Sequence, residues 1–174
     1  NHIEKVLQLA NLDKKKKALS LVETDFKPYL LTLCEEFMAL SKMEDVHFEY
    51  KINAEYIPLK CEPLHLANAI NNLLDNAKKY SLKSPKISLF AFIENKKLHI
   101  SIKDNGVGIE KKNFKNIFKK HFRVSSEDLY TVKGYGLGLN YVTKIIKLHK
   151  GKIHLDSILK EGTLITLKLP LVKI

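Results

Sequence analysis

The sequence comprises 174 residues, of which 45% are hydrophobic and 28% charged, which suits one globular domain with a buried core. This composition excludes a disordered or fibrous chain. No apolar run approaches the roughly 18 residues that a membrane-spanning helix needs, and no signal peptide opens the chain. Because the first residue is Asn1 rather than methionine, we expect a soluble piece of a longer protein.

The formal net charge of +11 raises the question of a nucleic-acid partner. Arg123 is the only arginine, although arginine is the side chain that binds guanine edges and phosphates in a bidentate manner. The lysines are scattered, and Lys14–Lys17 is their only long run. We therefore expect a lysine-rich, solvated surface and no nucleic-acid partner, with attraction to nucleic acid or an anionic membrane as the alternative.

The cysteines and histidines form no recognisable metal motif. Cys34 and Cys61 are not a C-x-x-C pair, and Cys61 with His65 supplies only two possible ligands without a third nearby. We expect both cysteines to be buried thiols. A dedicated transition-metal site is not expected.

Residues 1–18 are predicted to form a separate piece. Ile3, Val6, Leu7 and Ala10 recur at helical spacing before Asp13 and four lysines interrupt the pattern. This pattern is typical of the last turns of a helix that began upstream. Its apolar stripe needs a partner, either in this chain or in another copy.

A short strand at 19–22 is predicted to precede the first helix of the main domain. Thr24 or Asp25 can cap that helix, and Pro28 occupies its first turn.

A second helix is predicted to open at Glu62 and to end near Tyr80. Its inner side is expected to carry Leu64, Ala67, Ile70, Leu73, Leu74 and Ala77. A third helix at 136–149 ends before Gly151, where we expect a left-handed backbone conformation.

The remaining strands are predicted at 48–52, 57–61, 86–93, 97–103, 152–158 and 163–169. Several of these strands are neighbours joined by short turns, and helices separate the others. This arrangement predicts a two-layer α/β sandwich with a mixed sheet of about five strands and three main helices on one face.

The second helix carries a polar edge beside its apolar one. Asn72 and Asn76 are four residues apart and therefore face the same way, and Lys79 and Tyr80 extend this edge by a turn. A carboxamide oxygen can bind Mg²⁺ without adding charge, and a lysine can balance phosphate charge. Taken alone, the pattern also fits a solvated helix face.

Two glycine-containing loops follow in the chain. The first, 104–108, places Asp104 at a strand end, where its carboxylate could accept a hydrogen bond from the amino group of adenine. The second, 134–139, runs directly into a helix, whose N-terminal N–H groups and dipole favour phosphate. A simple turn and a structural glycine loop are the respective alternatives.

In their order and spacing, these motifs resemble the ATP-binding domain of sensor histidine kinases. This domain is a branch of the GHKL fold that gyrase, heat-shock chaperone and mismatch-repair ATPases share. The resemblance covers roughly residues 20–172. It is carried by an N box at 72–81, a glycine box at 104–109, an F box at 117–123, a second glycine box at 134–139 and the final pair Gly162-Thr163.

The resemblance implies ATP and Mg²⁺ as cofactors and assigns roles to the matched residues. It implies that Asn72 and Lys79 are catalytic and that Asn76 is the metal ligand. It also implies that residues 124–133 form a nucleotide lid. The residues expected to bind the nucleotide are Asn72, Asn76, Lys79, Tyr80, Asp104, Gly106, Gly108, Ile109, Phe118, Phe122, Arg123, Gly134, Gly136, Leu137, Gly138, Leu139 and Thr163.

Asn72 distinguishes this chain from the hydrolytic relatives within the resembled fold family. Those members carry a glutamate at this position, and the glutamate activates water. An amide cannot take a proton from water, so we predict slow ATP hydrolysis and transfer of the γ-phosphoryl group to a positioned acceptor.

The acceptor histidine of the resembled family has no match in this sequence. Residues 1–18 resemble the end of the second helix of a dimerisation and histidine-phosphotransfer domain, and 19–174 resemble the catalytic domain. The implied partners are the histidine-bearing dimerisation domain of the same protein, a response regulator and, in the full-length protein, a second copy. The resemblance further implies a bacterial two-component sensor in the inner membrane, with this domain in the cytoplasm.

Two other functions remain open at this point. A serine kinase of the anti-sigma type has the same fold, although the upstream helix and the F box disfavour it. A non-catalytic module that binds nucleotide and serves as an interaction platform is the other alternative.

Overall fold

The computed structural model describes residues 20–81, 84–123 and 136–172. The elements in this part of the chain are β1 (Val22–Asp25), α1 (Lys27–Met43), β2 (His47–Asn53), β3 (Pro58–Cys61), α2 (Pro63–Tyr80), β4 (Lys86–Glu94), β5 (Lys97–Asp104), a 3-10 turn (Lys111–Asn113), α3 (Gly138–Leu148), β6 (Lys152–Ile158) and β7 (Gly162–Pro170). None of the described helices has both the length and the hydropathy that a membrane span requires.

The predicted two-layer α/β sandwich is confirmed. Five strands form one sheet in the order β2-β4-β5-β7-β6, in which only β2 and β4 pair in parallel. β1 and β3 form a separate antiparallel pair. The three helices cover the face of the sheet whose side chains are buried, with Leu89, Ile100 and Leu167 at most 1% exposed. The first strand lies at 22–25 rather than 19–22, because its pairing with Pro58–Cys61 decides its position.

The start of α1 corrects the predicted cap. The residue at the N-cap position is Phe26, whose side chain cannot accept a hydrogen bond and is instead fully buried. Asp25, one residue earlier, accepts bonds from the backbone N–H groups of Lys27 at 3.0 Å and Ile57 at 2.9 Å. The carboxylate therefore joins the helix start to the segment before β3.

The inner side of α2 is partly different from the prediction. Glu62 caps the helix by accepting the His65 N–H, and the buried stripe runs along Leu66, Ala69, Ile70, Leu73, Leu74 and Ala77. Leu64, predicted to point inward, is 66% exposed, and Ala67 is only half-buried. The stripe that starts at Leu66 is the one that meets the sheet, so Leu64 falls outside it, whereas Ala67 lies at its border and packs against the core.

The chain after α3 also differs from the prediction in one detail. Lys150, and not Gly151, adopts the left-handed conformation, with φ of 55°. A Cβ on Gly151 would lie 2.8 Å from both the Leu169 side chain and the Lys168 carbonyl oxygen. Gly151 is therefore required by the close approach of β7 rather than by its own backbone angle.

Both cysteines are buried free thiols, as predicted. Cys34 and Cys61 are fully shielded from solvent, and burial raises the pKa of each thiol to about 12. Neither is therefore a thiolate at neutral pH.

A buried histidine joins the N-terminal end of α2 to the C-terminal end of α3. His149 is 4% exposed, its Nδ1 bonds the Ile145 carbonyl oxygen at 2.7 Å, and its Nε2 accepts the Glu62 N–H at 3.0 Å. These two bonds require the neutral ring. Burial, assisted by His65, lowers the pKa of His149, while the Ile145 bond and Glu62 oppose that change.

We expect this histidine to make stability depend on pH. Because its pKa is lowered on folding, the unfolded chain takes up a proton that the folded chain resists, so stability is full above about pH 6.5 and declines as pH falls. The melting temperature of His149→Gln, which cannot be protonated, should fall less between about pH 7 and pH 5 than that of the wild type. His47→Gln, on the exposed edge strand β2, is the matched control. Equal pH slopes for wild type and His149→Gln would contradict this account.

Candidate nucleotide-binding site

A cavity of about 120 Å³ opens between α2, the loop after β5, the start of α3 and β7. Its walls are mainly apolar, and Leu73, Ile102 and Ile165 carry them down to the core. The predicted site residues that line the cavity are Asn76, Tyr80, Asp104, Gly108, Ile109, Phe122, Arg123, Leu139 and Thr163. A mainly apolar cleft with a few polar groups at its edge is typical of a small-molecule site.

Asp104 supplies the carboxylate of this cavity. Its Oδ1 accepts hydrogen bonds from the backbone N–H groups of Gly106 at 2.8 Å and Thr163 at 3.1 Å. Burial raises the pKa of this carboxyl, and the two backbone bonds oppose that rise. Since both bonds end on Oδ1, Oδ2 is the oxygen left to accept a hydrogen bond from a ligand.

The loop after β5 passes unusually close to the end of α2. The Val107 N–H donates to the Tyr80 carbonyl oxygen at 2.9 Å. A Cβ on Gly106 would lie 2.3 Å from that same oxygen, so only glycine fits here. This contact sets the position of Tyr80 relative to Asp104 across the cavity.

The two asparagines of α2 face the start of α3, as their spacing predicts. The Asn72 Oδ1 lies 3.3 Å and the Asn76 carboxamide 3.8 Å from the position that a Cβ on Gly138 would occupy. Asn72 is held in place by donating from Nδ2 to the Asn68 carbonyl oxygen at 2.8 Å. Two neutral carboxamides therefore converge on the N-terminus of a helix.

Within the described residues, no side chain caps that helix end. The N-cap residue of α3 is Leu137, which offers no side-chain hydrogen bond, and the first turn contains no acidic residue. The first N–H groups and the positive end of the helix dipole are thus available to an anion beside the asparagines.

Other predicted site residues lie outside the cavity lining. Lys79 is exposed at the last turn of α2. Ile117 lines the cavity where Phe118 was expected, and the Phe118 carbonyl oxygen instead accepts from Asn140 at 3.1 Å. The residues that border the site without lining the cavity are Asn72, Gly106, Gly136, Leu137 and Gly138. Gly134 and the predicted lid at 124–133 fall outside the described residues.

Comparison with known proteins identifies the family. Residues 61–173 match the model described as histidine kinase-, DNA gyrase B-, and HSP90-like ATPase. The chain belongs to this family. The ATPase-family match contains all four sequence motifs and the final Gly162-Thr163 pair.

Sensor kinases are among the relatives of this ATPase domain. The sensor protein RprX of Bacteroides fragilis is 39% identical over 175 residues, which cover 98% of this chain and 33% of RprX. The sensor histidine kinase WalK of Bacillus subtilis is 27% identical over 170 residues, covering 97% of this chain and 28% of WalK. The chain thus spans about a third of the length of these relatives.

The fold is shared with solved histidine kinases. Full-length ShkA, crystallised with AMPPNP, superposes with a TM-score of 0.81 at 19% identity, covering 99% of this chain and 35% of ShkA. Such low identity establishes likeness of fold alone.

One residue of the site was not predicted from the sequence of the ATPase domain. The Ser157 Oγ accepts the Ile109 N–H at 2.9 Å, donates to the Gly162 carbonyl oxygen at 2.7 Å and lies 3.0 Å from the Thr163 Oγ1. It joins both sides of the cavity mouth. The signal that could have found it is the register of the β6–β7 hairpin, in which Ser157 pairs with Thr163.

We expect Ser157→Ala to destabilise the domain by about 1–2 kcal/mol, since it leaves the Ile109 N–H without its acceptor. Urea unfolding measures the change. Ser101→Ala is the matched control, because Ser101 lies on the outer face of the sheet and loses only its bond to Thr166 at 3.0 Å. A smaller effect of Ser157→Ala than of Ser101→Ala would refute the proposed role of Ser157.

Proposed function

We propose that this domain binds Mg-ATP and presents the γ-phosphoryl group to a histidine on a dimerisation domain of the same protein. The observation that carries this proposal is the Asp104 carboxylate, whose Oδ1 is held by two backbone N–H groups at the edge of an apolar slot. The membership in the ATPase family and the sensor-kinase relatives support it.

The slot suits adenine for chemical reasons. A purine is flat and apolar on both faces, and side chains such as Ile109, Ile102 and Ile165 can pack against it. The amino group of adenine is a donor, and the Asp104 Oδ2 is an acceptor. A ring with an oxygen in place of the amino group would set two acceptors against each other.

The phosphates would then extend toward α3. Its uncapped N-terminus offers donors, and Asn76, with Asn72 beside it, offers amide oxygens that suit Mg²⁺. Mg²⁺ bound there would offset charge on the phosphate oxygens. Lys79, flexible and exposed one turn further along α2, is proposed to add a positive charge when nucleotide is bound.

Asn72 supports transfer over hydrolysis. Its Nδ2 donates to the Asn68 carbonyl oxygen, and a carboxamide has no basic oxygen to deprotonate water. Positioning and charge stabilisation then provide most of the acceleration of phosphoryl transfer, and the acceptor must bring its own base.

The proposal extends to the rest of the protein. Residues 1–18 would belong to the second helix of the dimerisation domain, whose first helix would carry the acceptor histidine. A homodimer, a response regulator and attachment of the parent sensor to the inner membrane, with this domain in the cytoplasm, complete the proposed two-component system.

Calorimetry with a non-hydrolysable ATP analogue tests the nucleotide site. Asp104→Asn keeps an Oδ1 acceptor for both backbone bonds but replaces Oδ2 with a donor, so we expect affinity to fall roughly 10- to 150-fold, as for loss of a bond to a charged group. Asn76→Ala should instead reduce the increase in affinity that Mg²⁺ produces.

The controls separate recognition from folding. Both variants should keep the wild-type melting temperature within a few degrees, and Asp104→Asn should lose less affinity for an inosine nucleotide, whose ring oxygen accepts from the new amide. Unchanged affinity of a folded Asp104→Asn protein for the ATP analogue would remove the adenine assignment.

Incubation with radiolabelled ATP and a histidine-bearing dimerisation domain tests the reaction. We expect label that is lost in acid, as for phosphohistidine, and little release of inorganic phosphate by the domain alone. Acid-stable label would indicate a serine kinase. Rapid hydrolysis without the acceptor would contradict the role given to Asn72.

A further inference from the structure

The segment 110–122 forms one wall of the nucleotide cavity although it has little core of its own. Ile117 and Phe122 line the cavity, and Ile117, at 8% exposed, is the one buried residue of the segment. The described backbone hydrogen bonds within the segment are short turns of three or four residues. Such turns shape the segment, but they do not fix its position relative to the rest of the domain.

Two described hydrogen bonds connect this segment to the start of α3. The Asn140 Nδ2 donates to the Phe118 carbonyl oxygen at 3.1 Å. The His121 N–H donates to the Gly136 carbonyl oxygen at 3.0 Å. Because Ile117 directly precedes Phe118, the Asn140 bond holds the apolar wall itself, and it does so from the first turn of α3.

Packing alone does not explain an asparagine at position 140. Its Oδ1 is buried and has no hydrogen-bond partner in the part of the chain that the structure describes. Burying an acceptor without a partner costs free energy, and a leucine, which is similar in shape, would avoid that cost. Only the amide nitrogen can face a carbonyl oxygen, so the bond to Phe118 accounts for the amide.

Asn140 lies between the two parts of the proposed nucleotide site. Its neighbour Leu139 lines the cavity, and a Cβ on Gly138 would lie 3.3 Å from the Asn72 Oδ1. The first turn of α3 is thus the phosphate end of the site, whereas Ile117 belongs to the apolar wall beside the base. The Asn140 bond sets the distance between the surfaces that contact these two ends of a nucleotide.

We propose that Asn140 is a positioning residue for the nucleotide. Acting through the Phe118 carbonyl oxygen, it holds the Ile117 wall at a fixed distance from the start of α3, so that one nucleotide contacts both surfaces at once. A wall that is already in place does not have to be ordered when the nucleotide binds. Asn140 therefore increases affinity most for a ligand that carries both a base and phosphates. This inference rests on the proposed binding of Mg-ATP.

Calorimetry of Asn140→Leu with the non-hydrolysable ATP analogue tests this role. Leucine removes the donor and also the buried oxygen that lacks a partner, so the melting temperature should match that of the wild type or exceed it. The affinity for the analogue should fall about 3- to 10-fold, as for the loss of one hydrogen bond. The affinity for adenosine, measured by NMR titration, should fall less, because adenosine does not have to reach both surfaces.

Ser41→Ala is the matched control. The Ser41 Oγ, in a residue that is 2% exposed, is likewise buried without a partner among the described residues, but it lies near the end of α1 and outside the cavity lining. Its removal should leave the affinity for the analogue unchanged. Asn140→Ala removes the same donor without adding a larger apolar side chain, and it provides the affinity measurement if Asn140→Leu does not fold.

The outcomes separate this role from a structural one. Wild-type affinity of the folded Asn140 variants for the analogue would overturn the proposal. Equal losses of affinity for the analogue and for adenosine would also overturn it, because they would make Asn140 a general structural residue. A wild-type domain that does not bind the analogue would contradict the proposed function as well, so that failure is distinguishable from failure of the Asn140 role alone.

Discussion

The site depends on one carboxylate oxygen that joins two parts of the chain 59 residues apart in sequence. The Asp104 Oδ1 accepts the N–H of Gly106, which forms the turn after β5, and the N–H of Thr163, at the start of β7. Two walls of the cavity, the loop after β5 and the start of β7, are joined by these bonds, and α2 is joined to the same loop at the Tyr80 carbonyl oxygen. A single buried acceptor thus sets the mouth of the slot and leaves its partner oxygen for a ligand.

Three faces of α2 meet different parts of the domain. One face, with Leu66 and Ile70, packs on the sheet, and the edge with Asn72 and Asn76 meets the start of α3. A further face carries Leu64 into an open groove beside α1. The nucleotide site and this groove therefore lie against different faces of one helix.

Most of the fold and the outline of the site could be predicted from the sequence. Strand alternation and turn chemistry located β4 to β7 within one or two residues, since these signals act over a few neighbouring positions. Asn72 and Asn76 were predicted to face one way because four residues make about one helical turn. The order and spacing of the motifs indicated the ATPase family, and the match over residues 61–173 confirms it.

What the sequence alone determined, therefore, was local: the periodic elements, the motif residues and their chemistry. Only the tertiary structure decided which apolar stripe of α2 meets the sheet, leaving Leu64 exposed, and which strand approaches Gly151. It also brought Ser157 beside Ile109 and put Ile117 rather than Phe118 at the cavity. These outcomes depend on contacts between residues distant in the chain, and a one-residue rotation of a helix face or shift in register changes them without altering the local pattern.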